Sequence, residues 1–351
     1  MTNIDKFTDW DAEILFETIG PKYSKTPNYM TRVDLVPSDV LEACRTGWNL
    51  DHRGDAKWSV KLFRNVIVAG EGLVLNEKLS VLDASITQHT KDEISNAISE
   101  IDHSLLPYYE DSYLLLKKRG CTNYGHWLIE VLPKLSILNG TNLFSALLLP
   151  QCTGKMFDVI DSSVKMISGD LYKKEYISSS AVRVRELVVV DGLTHHGIHM
   201  SPLALNAARD LRNFASPLKN KKIFVSRQSV LSRRISNFDE VENLLHEHGF
   251  RTVDPAEHTL KEQIDIFSGA EIIVGTMGAG MTNVVFSDPS SYVVNFAPSN
   301  MPDTFFYLLS CHKHHQYIEM RCEVDGNRGA WDGDIHVNLE ELKHVLKLCR
   351  Q

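Results

Sequence analysis

Three glycines lie in a short stretch, residues 272–286, that runs from a predicted buried strand into a predicted apolar helix. They are Gly275, Gly278 and Gly280. Glycine lets a backbone turn tightly and approach a ligand closely, and the free N–H groups at a helix start attract anions. A phosphate or pyrophosphate is the expected ligand. The alternative is a turn whose glycines only close the corner between strand and helix.

A second stretch that can do chemistry is residues 123–130. His126 and Glu130 stand four apart at the start of a predicted helix, so they share one face. Both can move protons, and imidazole does so near neutral pH. The same spacing also suits a metal site, or a carboxylate that orients a structural histidine. The spacing alone does not decide among these.

Two histidine groups invite a metal hypothesis: His195, His196 and His199, and His312, His314 and His315. No carboxylate or thiolate stands at ligand spacing beside either group in the sequence. We therefore expect no metal site.

Arginines follow a predicted strand at residues 222–226. Ser226 and Arg227 come at its carboxyl end, in the layer of the glycine turn, and an arginine there can bind phosphate with two parallel hydrogen bonds. A surface arginine in a strand-to-helix loop is the alternative. Arg233 and Arg234 have the same two interpretations.

From about residue 220, β-branched runs alternate with amphipathic helices. Strands are predicted at 222–226, 251–254, 271–275, 292–296 and 315–319. Capping boxes that pair Asn237 with Glu240 and Thr259 with Glu262 begin two helices, and two more are predicted at 303–311 and 339–348. This alternation predicts a doubly wound α/β domain with a parallel sheet, in which ligands bind at the carboxyl ends of the strands.

The first 200 residues are less regular. Short antiparallel strands are predicted at 66–69, 72–75 and 79–82, and a helix at 94–101. Further strands at 113–116, 146–149 and 186–190 alternate with helices at 126–138 and 155–166. We predict an N-terminal domain over 1–200, with a β-rich segment at about 60–85, and a C-terminal domain over 218–351. Residues 192–217 would connect them.

Composition narrows the class of protein. The 351 residues are 43% hydrophobic, which suits two domains, and the net charge of -8 disfavours a nucleic-acid partner. Six cysteines without a Cys-x-x-Cys pair predict reduced thiols. A polar N-terminus and the lack of a long apolar run predict a cytoplasmic protein. Basic clusters at 117–119 and 219–222 are either solvated loops or a peripheral contact with anionic lipid at the cytoplasmic membrane face.

Four blocks occur in a specific order and spacing: Asn123-Tyr-x-His-Trp127 with Glu130 and Pro133; Val225-Ser-Arg227 with Arg234; Glu262-Gln263 with Phe267 and Ala270; and Val274-Gly-x-x-Gly-Ala-Gly-x-Thr-Asn283 with Phe286. Together they resemble glycosyltransferase family 61 over roughly residues 110 to 345. That family includes EGF-domain O-GlcNAc transferases, plant xylosyl- and arabinosyltransferases, and bacterial capsule or lipopolysaccharide proteins.

The resemblance implies a GT-B fold, with two Rossmann-like domains facing each other across a cleft. It implies an inverting enzyme that needs neither metal nor cofactor and takes a nucleotide-sugar donor, UDP-linked by expectation. The acceptor would be a glycan or lipid-linked glycan of capsular polysaccharide or lipopolysaccharide synthesis. The implied donor-binding residues are Ser226, Arg227, Arg234, Glu262, Gln263, Gly278, Ala279, Gly280, Thr282 and Asn283. The implied acceptor-binding residues are Asn123, Tyr124 and Trp127.

His126 is the expected catalytic base, with Glu130 orienting it; the reverse assignment stays open. Met277 stands where the family usually has histidine, which removes an expected phosphate contact. A non-catalytic nucleotide-sugar binder is therefore the alternative function. A dinucleotide-dependent oxidoreductase is disfavoured, because the glycine turn follows the third strand of its domain rather than the first.

Overall fold

The computed structural model describes residues 10, 12–19, 28–49, 57–218, 221–230, 232–326, 329 and 331–349. The N-terminal segment 1–9 and residues 219 and 220 of the second basic cluster lie outside the described residues. Contacts divide the chain into two compact units. Unit 1 comprises Met1–Lys22 and Asp55–Asp210, and unit 2 comprises Tyr23–Gly54 and Leu211–Gln351.

The strands of the described residues are β1 Ala12–Ile19, β2 Asn28–Thr31, β3 Lys57–Ala69, β4 Leu73–Leu75, β5 Tyr108–Leu115, β6 Ala146–Pro150, β7 Lys173–Ile177, β8 Val182–Asp191, β9 Thr194–His195, β10 His199–Met200, β11 Lys222–Val225, β12 Arg251–Val253, β13 Ile272–Thr276, β14 Tyr292–Pro298, β15 Gln316–Val324 and β16 Ile335–His336. The α-helices are α1 Ser38–Trp48, α2 Lys91–Ser99, α3 Tyr124–His126, α4 Leu132–Leu138, α5 Gly154–Ser168, α6 Asn206–Arg212, α7 Phe238–Glu247, α8 Leu260–Ser268, α9 Phe305–Lys313 and α10 Leu339–Leu348.

Unit 1 is built on one mixed sheet. Its described strands run in the order β1-β3-β8-β5-β6-β7, with β4 against β3. Strands β8, β5, β6 and β7 are parallel, whereas β1, β3 and β4 add antiparallel pairs. The predicted β-rich segment is thus part of this sheet. Of its predicted third strand, Val81 alone makes a bridge, to Leu75. The sequence patterns did not predict β1 or β7.

The predicted helix over 126–138 is not a regular α-helix. Between α3 and α4, the chain forms a π-helical turn at Trp127–Val131. Pro133 lies in the first turn of α4 and has no N–H to donate to the preceding turn, which favours such a widening. Glu130 lies within the widened turn. π-turns inside helices occur frequently at functional sites.

Unit 2 contains the predicted parallel sheet. The order is β12-β11-β13-β14-β15-β16, with β2 also against β15, and the five predicted strands are confirmed as β11 to β15. The first strand of this alternation, β11, lies between the second and the third, β12 and β13. The chain therefore forms β12 on one side of β11 and then crosses to form β13 on the other side. The strand order reverses at the pair β11 and β13. Ligands of doubly wound sheets bind at the carboxyl ends of such a strand pair.

Two local predictions in unit 2 need correction. The glycine turn leads into a 3-10 helix, Ala279–Phe286, rather than an α-helix. The capping box predicted at Asn237 does not form, because its side-chain amide pairs with the backbone N–H and C=O of Val337 at 3.0 and 2.9 Å. The capping box at Thr259 is confirmed.

An N-terminal arm, residues 28–49, packs into unit 2 although most of unit 1 follows it in the chain. Strand β2 pairs in parallel with β15. From α1, Cys44 accepts a hydrogen bond from the fully buried Arg321, which also pairs with Glu319. The rings of Trp48 and Tyr307 stack 4.5 Å apart. The sequence patterns did not predict this arm.

Within the described ranges, we find no helix that combines the length and the apolar character needed to cross a bilayer.

Candidate functional site

The first candidate site forms at the carboxyl ends of the parallel strands β5 and β8 in unit 1. Lys118 follows β5, and His126 and Glu130 lie on the helical segment that comes next. His196 sits at the tip of the β9–β10 hairpin, where Gly197 adopts a positive φ of 69° to close the turn. The fold therefore brings one histidine from 66 residues away to Glu130.

Glu130 is buried and receives three hydrogen bonds. Nδ1 of His126 and Nδ1 of His196 both lie 2.8 Å from its Oε1. The ammonium group of Lys118 binds Oε2 and also donates to Gln88 at 2.8 Å. Both oxygens of the carboxylate are thus occupied by donors.

Burial by itself would raise the pKa of Glu130. The hydrogen bonds from His126 and His196 and the charge of Lys118 outweigh it, so the pKa lies well below its usual range. The carboxylate is therefore ionised and a weak base. Because the carboxylate accepts a hydrogen bond from Nδ1 of His126, that imidazole carries its proton on Nδ1 and presents Nε2 as an acceptor.

The ring of His126 has space around its other edge because of Gly120. A Cβ on Gly120 would lie 3.3 Å from Cδ2 and 3.5 Å from Nε2 of His126. Gly120 also has a positive φ of 74°, which disfavours any other residue. This arrangement leaves an oriented imidazole nitrogen that can accept a proton.

The same side chains also meet the geometric requirement for a metal site. One ligand atom each from His126, Glu130 and His196 lie within 4.8 Å of one another. No carboxylate stands near His196 in the sequence, but the fold brings Glu130 to it, so the premise of the predicted absence of a metal site is wrong. Lys118 already supplies the positive charge that a cation would bring to Glu130. Among the described residues, the group around His315 forms no such cluster.

The three expected acceptor-binding residues have different positions. Asn123 caps α3, and its side chain accepts from the backbone N–H of Gly125 at 2.9 Å. Tyr124 is partly exposed. Trp127 is completely buried, and its indole N–H donates to Ser163 at 2.9 Å. The placement of Trp127 corrects our expectation, because a core side chain has no surface to offer an acceptor.

The second candidate site forms in unit 2, at the carboxyl ends of β11 and β13. The guanidinium of Arg227 lies directly on the backbone of Gly278, where a Cβ would be only 2.1 Å from Nη1. The φ of Gly278, 164°, is ordinary extended backbone, so this contact is what constrains the position, and a side chain at 278 would have to displace the guanidinium of Arg227. Gly275 is likewise enclosed, by Met281 and Val225. Two glycines of the turn thus accommodate side chains of the protein itself.

Arg227 and Arg233 carry positive charge that Asp254, Asp303 and Asp332 offset only in part. Nε of Arg227 donates to the carbonyl of Ser232 at 3.0 Å, but the guanidinium makes no ion pair with any described residue. Burial and the charge of Arg233 lower the pKa of Arg227 to about 10, and burial also lowers the pKa of Arg233. Two half-buried guanidinium groups beside each other form a site suited to an anion.

Arg234, which we expected in the donor site, already has a partner. Its guanidinium lies 3.1 Å from Asp334, and its backbone N–H donates to the same carboxylate at 2.8 Å. Arg233 has the neighbouring position, makes no such pair with a described residue, and has a strained positive φ of 54°. No local pattern distinguishes Arg233 from Arg234, because the partner of Arg234 lies 100 residues away.

Other expected donor-binding residues support the turn. Asn283 is buried and donates to Gln263 at 2.7 Å, and Gln263 donates to the carbonyl of His258 at 3.0 Å. Glu262 caps α8 through Thr259. These contacts fix the loop after β13 against the start of α8.

The remaining expected donor residues lie close to the strand ends. Ser226 and Thr282 are buried, whereas Ala279 and Gly280 are partly exposed. Met277 is buried, and its backbone N–H donates to Phe296 at 2.9 Å. Its side chain therefore belongs to the core.

A family model matches part of the chain. The family model of glycosyltransferase 61 matches residues 124–294, just under half of the chain, and supports membership of that family. The matched segment contains the histidines, Glu130 and the arginine site. Comparison with curated proteins finds no match. Membership of this family implies glycosyltransferase activity, in general with a nucleotide-sugar donor and a glycan acceptor.

Proposed function

We propose that this protein is an inverting glycosyltransferase that moves a sugar from a nucleotide sugar to a glycan. The observation that carries the proposal is the half-buried Arg227 on the backbone of Gly278, beside Arg233, at the reversal point of the unit 2 sheet. Doubly wound sheets bind nucleotides at this point. We assign diphosphate binding to unit 2 and proton transfer to unit 1.

In the proposed reaction, the acceptor hydroxyl oxygen forms a bond to the anomeric carbon of the donor sugar. The bond from that carbon to the diphosphate oxygen breaks, and its electrons leave with the diphosphate. The hydroxyl proton passes to Nε2 of His126, while Glu130 holds the resulting imidazolium through Nδ1. Inversion follows because attack and departure take place on opposite faces of the sugar.

Arg227 and Arg233 stabilise the negative charge that develops on the leaving diphosphate. In many transferases a divalent metal has this role, so the two arginines support a metal-independent reaction. The GT-B arrangement, a UDP-linked donor, and an acceptor in capsular polysaccharide or lipopolysaccharide synthesis stay predictions from the resemblance.

The cluster of His126, Glu130 and His196 favours one alternative. A bound metal ion there would activate the acceptor hydroxyl by lowering its pKa, and the histidines would be ligands rather than bases. The non-catalytic binder is the other alternative, because it needs the arginine site alone.

The test is a calorimetric titration of the protein with a panel of nucleoside diphosphates, with and without EDTA, followed by a hydrolysis or transfer assay with the matching nucleotide sugars. We expect one diphosphate to bind equally well in both conditions and transfer to continue in EDTA. Loss of both binding and transfer in EDTA, restored by manganese or magnesium, would contradict the metal-independent assignment. Loss of transfer alone, restored by zinc, would favour the histidine metal site.

A further inference from the structure

Lys118 supplies a fixed positive charge beside Glu130. The side chain is buried, and its ammonium group pairs with Oε2 of Glu130. It also donates to the amide oxygen of Gln88 at 2.8 Å. Gln88 has a positive φ of 65°, and such strained backbone occurs mainly at functional sites. Lys118 is therefore held between two acceptors, and it leaves Oε1 of Glu130 to the histidines.

Without that charge, the side chains around Oε1 would form a ligand set for a transition metal. His126, Glu130 and His196 offer two imidazole nitrogens and a carboxylate oxygen, all within 4.8 Å of one another. Two histidines and one carboxylate, with a fourth position for water, are a common ligand set for zinc. Ligand atoms at roughly 2.0 to 2.1 Å from a tetrahedral ion lie about 3.3 Å apart. Each Nδ1 lies 2.8 Å from Oε1, so the cluster would have to open by only about half an ångström.

The charge of Lys118 opposes such an ion. It balances the charge of Glu130, so the pair has no net negative charge to offer a cation. An ion on Oε1 would also lie close to the ammonium group on Oε2, because both oxygens belong to one carboxylate. Like charges at this range repel strongly in a buried site. Lys134 and Asp191 lie on the wall of the adjoining cavity with opposite charges, so together they add little to this balance.

An ion on the cluster would also change its chemistry. Nδ1 of His126 faces Oε1 of Glu130, so an ion between them would displace the Nδ1 proton and make the ring a ligand. A neutral imidazole that binds a metal through Nδ1 carries its proton on Nε2. That nitrogen could then no longer accept the proton of an acceptor hydroxyl.

We propose that Lys118 excludes a metal ion from the cluster of His126, Glu130 and His196, and that it thereby keeps Nε2 of His126 available as a base. Lys118 is a positioning residue in this inference, since it acts through Glu130. The inference rests on the proposed function, because it takes His126 to be the base.

Titration with Co²⁺ tests the exclusion directly, because tetrahedral Co²⁺ with nitrogen ligands has a characteristic visible absorption spectrum. We expect Lys118→Met to bind Co²⁺ at least about a hundredfold more tightly than the wild type, as for the removal of a like charge at close range. Addition of His126→Ala to this variant should abolish the gain. Lys134→Met is the matched control and should bind Co²⁺ as weakly as the wild type. That lysine lies on the wall of the same cavity, but within the described chain it forms no ion pair with Glu130.

Transfer assays connect the exclusion to the base. We expect zinc to lower the rate of Lys118→Met by a further factor of about ten or more, because it removes the general base. The wild type and Lys134→Met should keep their rates in zinc. A purely structural role of Lys118 would lower the rate of the variant without making it sensitive to zinc.

The inference is overturned if the wild type binds Co²⁺ as tightly as Lys118→Met and through His126. A folded Lys118→Met without a gain in affinity would also overturn it. Lys118→Gln can still donate to Glu130 but has no charge, so it replaces the methionine variant if that variant unfolds, and it should show the same gain. If both variants unfold, Lys118 is a structural residue and the inference is wrong. If the wild type neither binds a nucleoside diphosphate nor transfers a sugar, the proposed function fails, and the Co²⁺ titration still judges the exclusion.

Discussion

The carboxylate site of unit 1 and the arginine site of unit 2 differ in how far their charges are paired within the protein. Glu130 is surrounded by donors from three side chains, so its charge is satisfied before any substrate binds. Arg227 and Arg233 form no ion pair within the described chain, and the carboxylates of Asp254, Asp303 and Asp332 only partly offset the burial that lowers their pKa values. The first site is preorganised, whereas the second needs an anion to complete it. A group that transfers a proton has to be oriented, and a group that binds phosphate has to be available.

The strongest test of this difference is to remove the oriented imidazole of His126. We expect His126→Ala to lower turnover about a hundredfold or more while diphosphate binding is unchanged, because general-base catalysis typically contributes 10² to 10⁴. Steady-state rates with a transferable donor and acceptor provide the measurement.

His196→Ala is the matched control, since its ring contacts the same carboxylate oxygen. We expect a smaller loss there, and a larger one would make His196 the base. Glu130→Gln should also reduce turnover less than His126→Ala. If it reduces turnover more, with the fold and donor binding intact, the glutamate takes over the role.

The second test removes one of the two partly offset charges of unit 2. Arg227→Ala should weaken nucleoside diphosphate binding by about 1.5 to 3 kcal/mol, the range for a hydrogen bond to a charged group. Arg234→Ala is the control, because that guanidinium is already bound to Asp334. Calorimetric affinities of the two variants should differ by about tenfold or more. Equal affinities would show that Arg227 is an ordinary surface arginine.

The smallest expected effect concerns acid stability, where the two units should again differ. His315 of unit 2 is buried against Ser287 at 2.9 Å, and burial lowers its pKa to about 3. Below its unfolded pKa near 6.5 the unfolded chain binds a proton that the folded chain does not. Stability should therefore fall by on the order of 1 kcal/mol per pH unit from about pH 6 to pH 3.

The lowered pKa of Glu130 in unit 1 acts in the same direction but at lower pH, because both groups bind a proton more readily in the unfolded chain. Its low pKa contributes stability above the unfolded value, and this contribution is lost only in strong acid. Urea denaturation between pH 7 and pH 4 measures the effect of His315 almost alone, since that of Glu130 begins below the unfolded pKa near 4.5. His315→Gln, which can keep the bond to Ser287, should flatten the dependence. A wild-type protein whose stability does not change over this range would contradict the buried neutral histidine.

Much of unit 2 could be predicted from sequence, because the patterns that indicate its strands and helices are local. Alternating strands and helices, and the capping box of Thr259 with Glu262, depend on residues within one element. Contacts between distant residues could not be predicted. The side chain of Asn237 binds the backbone of Val337, 100 residues away, instead of capping its own helix. His196 is 66 residues from Glu130. The pairing of His126 with Glu130 was accessible because both stand on one helical turn.

The same limit applies to the glycine turn. Three glycines in sequence indicate a close approach but do not say what approaches. In the structure, Arg227 occupies the space over Gly278, and Met281 occupies that over Gly275. A glycine pattern indicates where another group can approach the backbone closely. Which side chain takes that space depends on the packing of the whole sheet.

The N-terminal arm has a consequence for how the protein is made. Cys44 leaves the ribosome 277 residues before Arg321, its partner in unit 2. At about 5 to 20 residues per second, that interval is roughly 15 to 55 s. During that time β2 lacks its partner strand β15, and Cys44 of α1 lacks its contact with Arg321. Most of unit 1 is synthesised in the same interval. Unit 2 therefore completes its fold only near the end of translation, and a chain begun after residue 49 would lack a strand of its sheet.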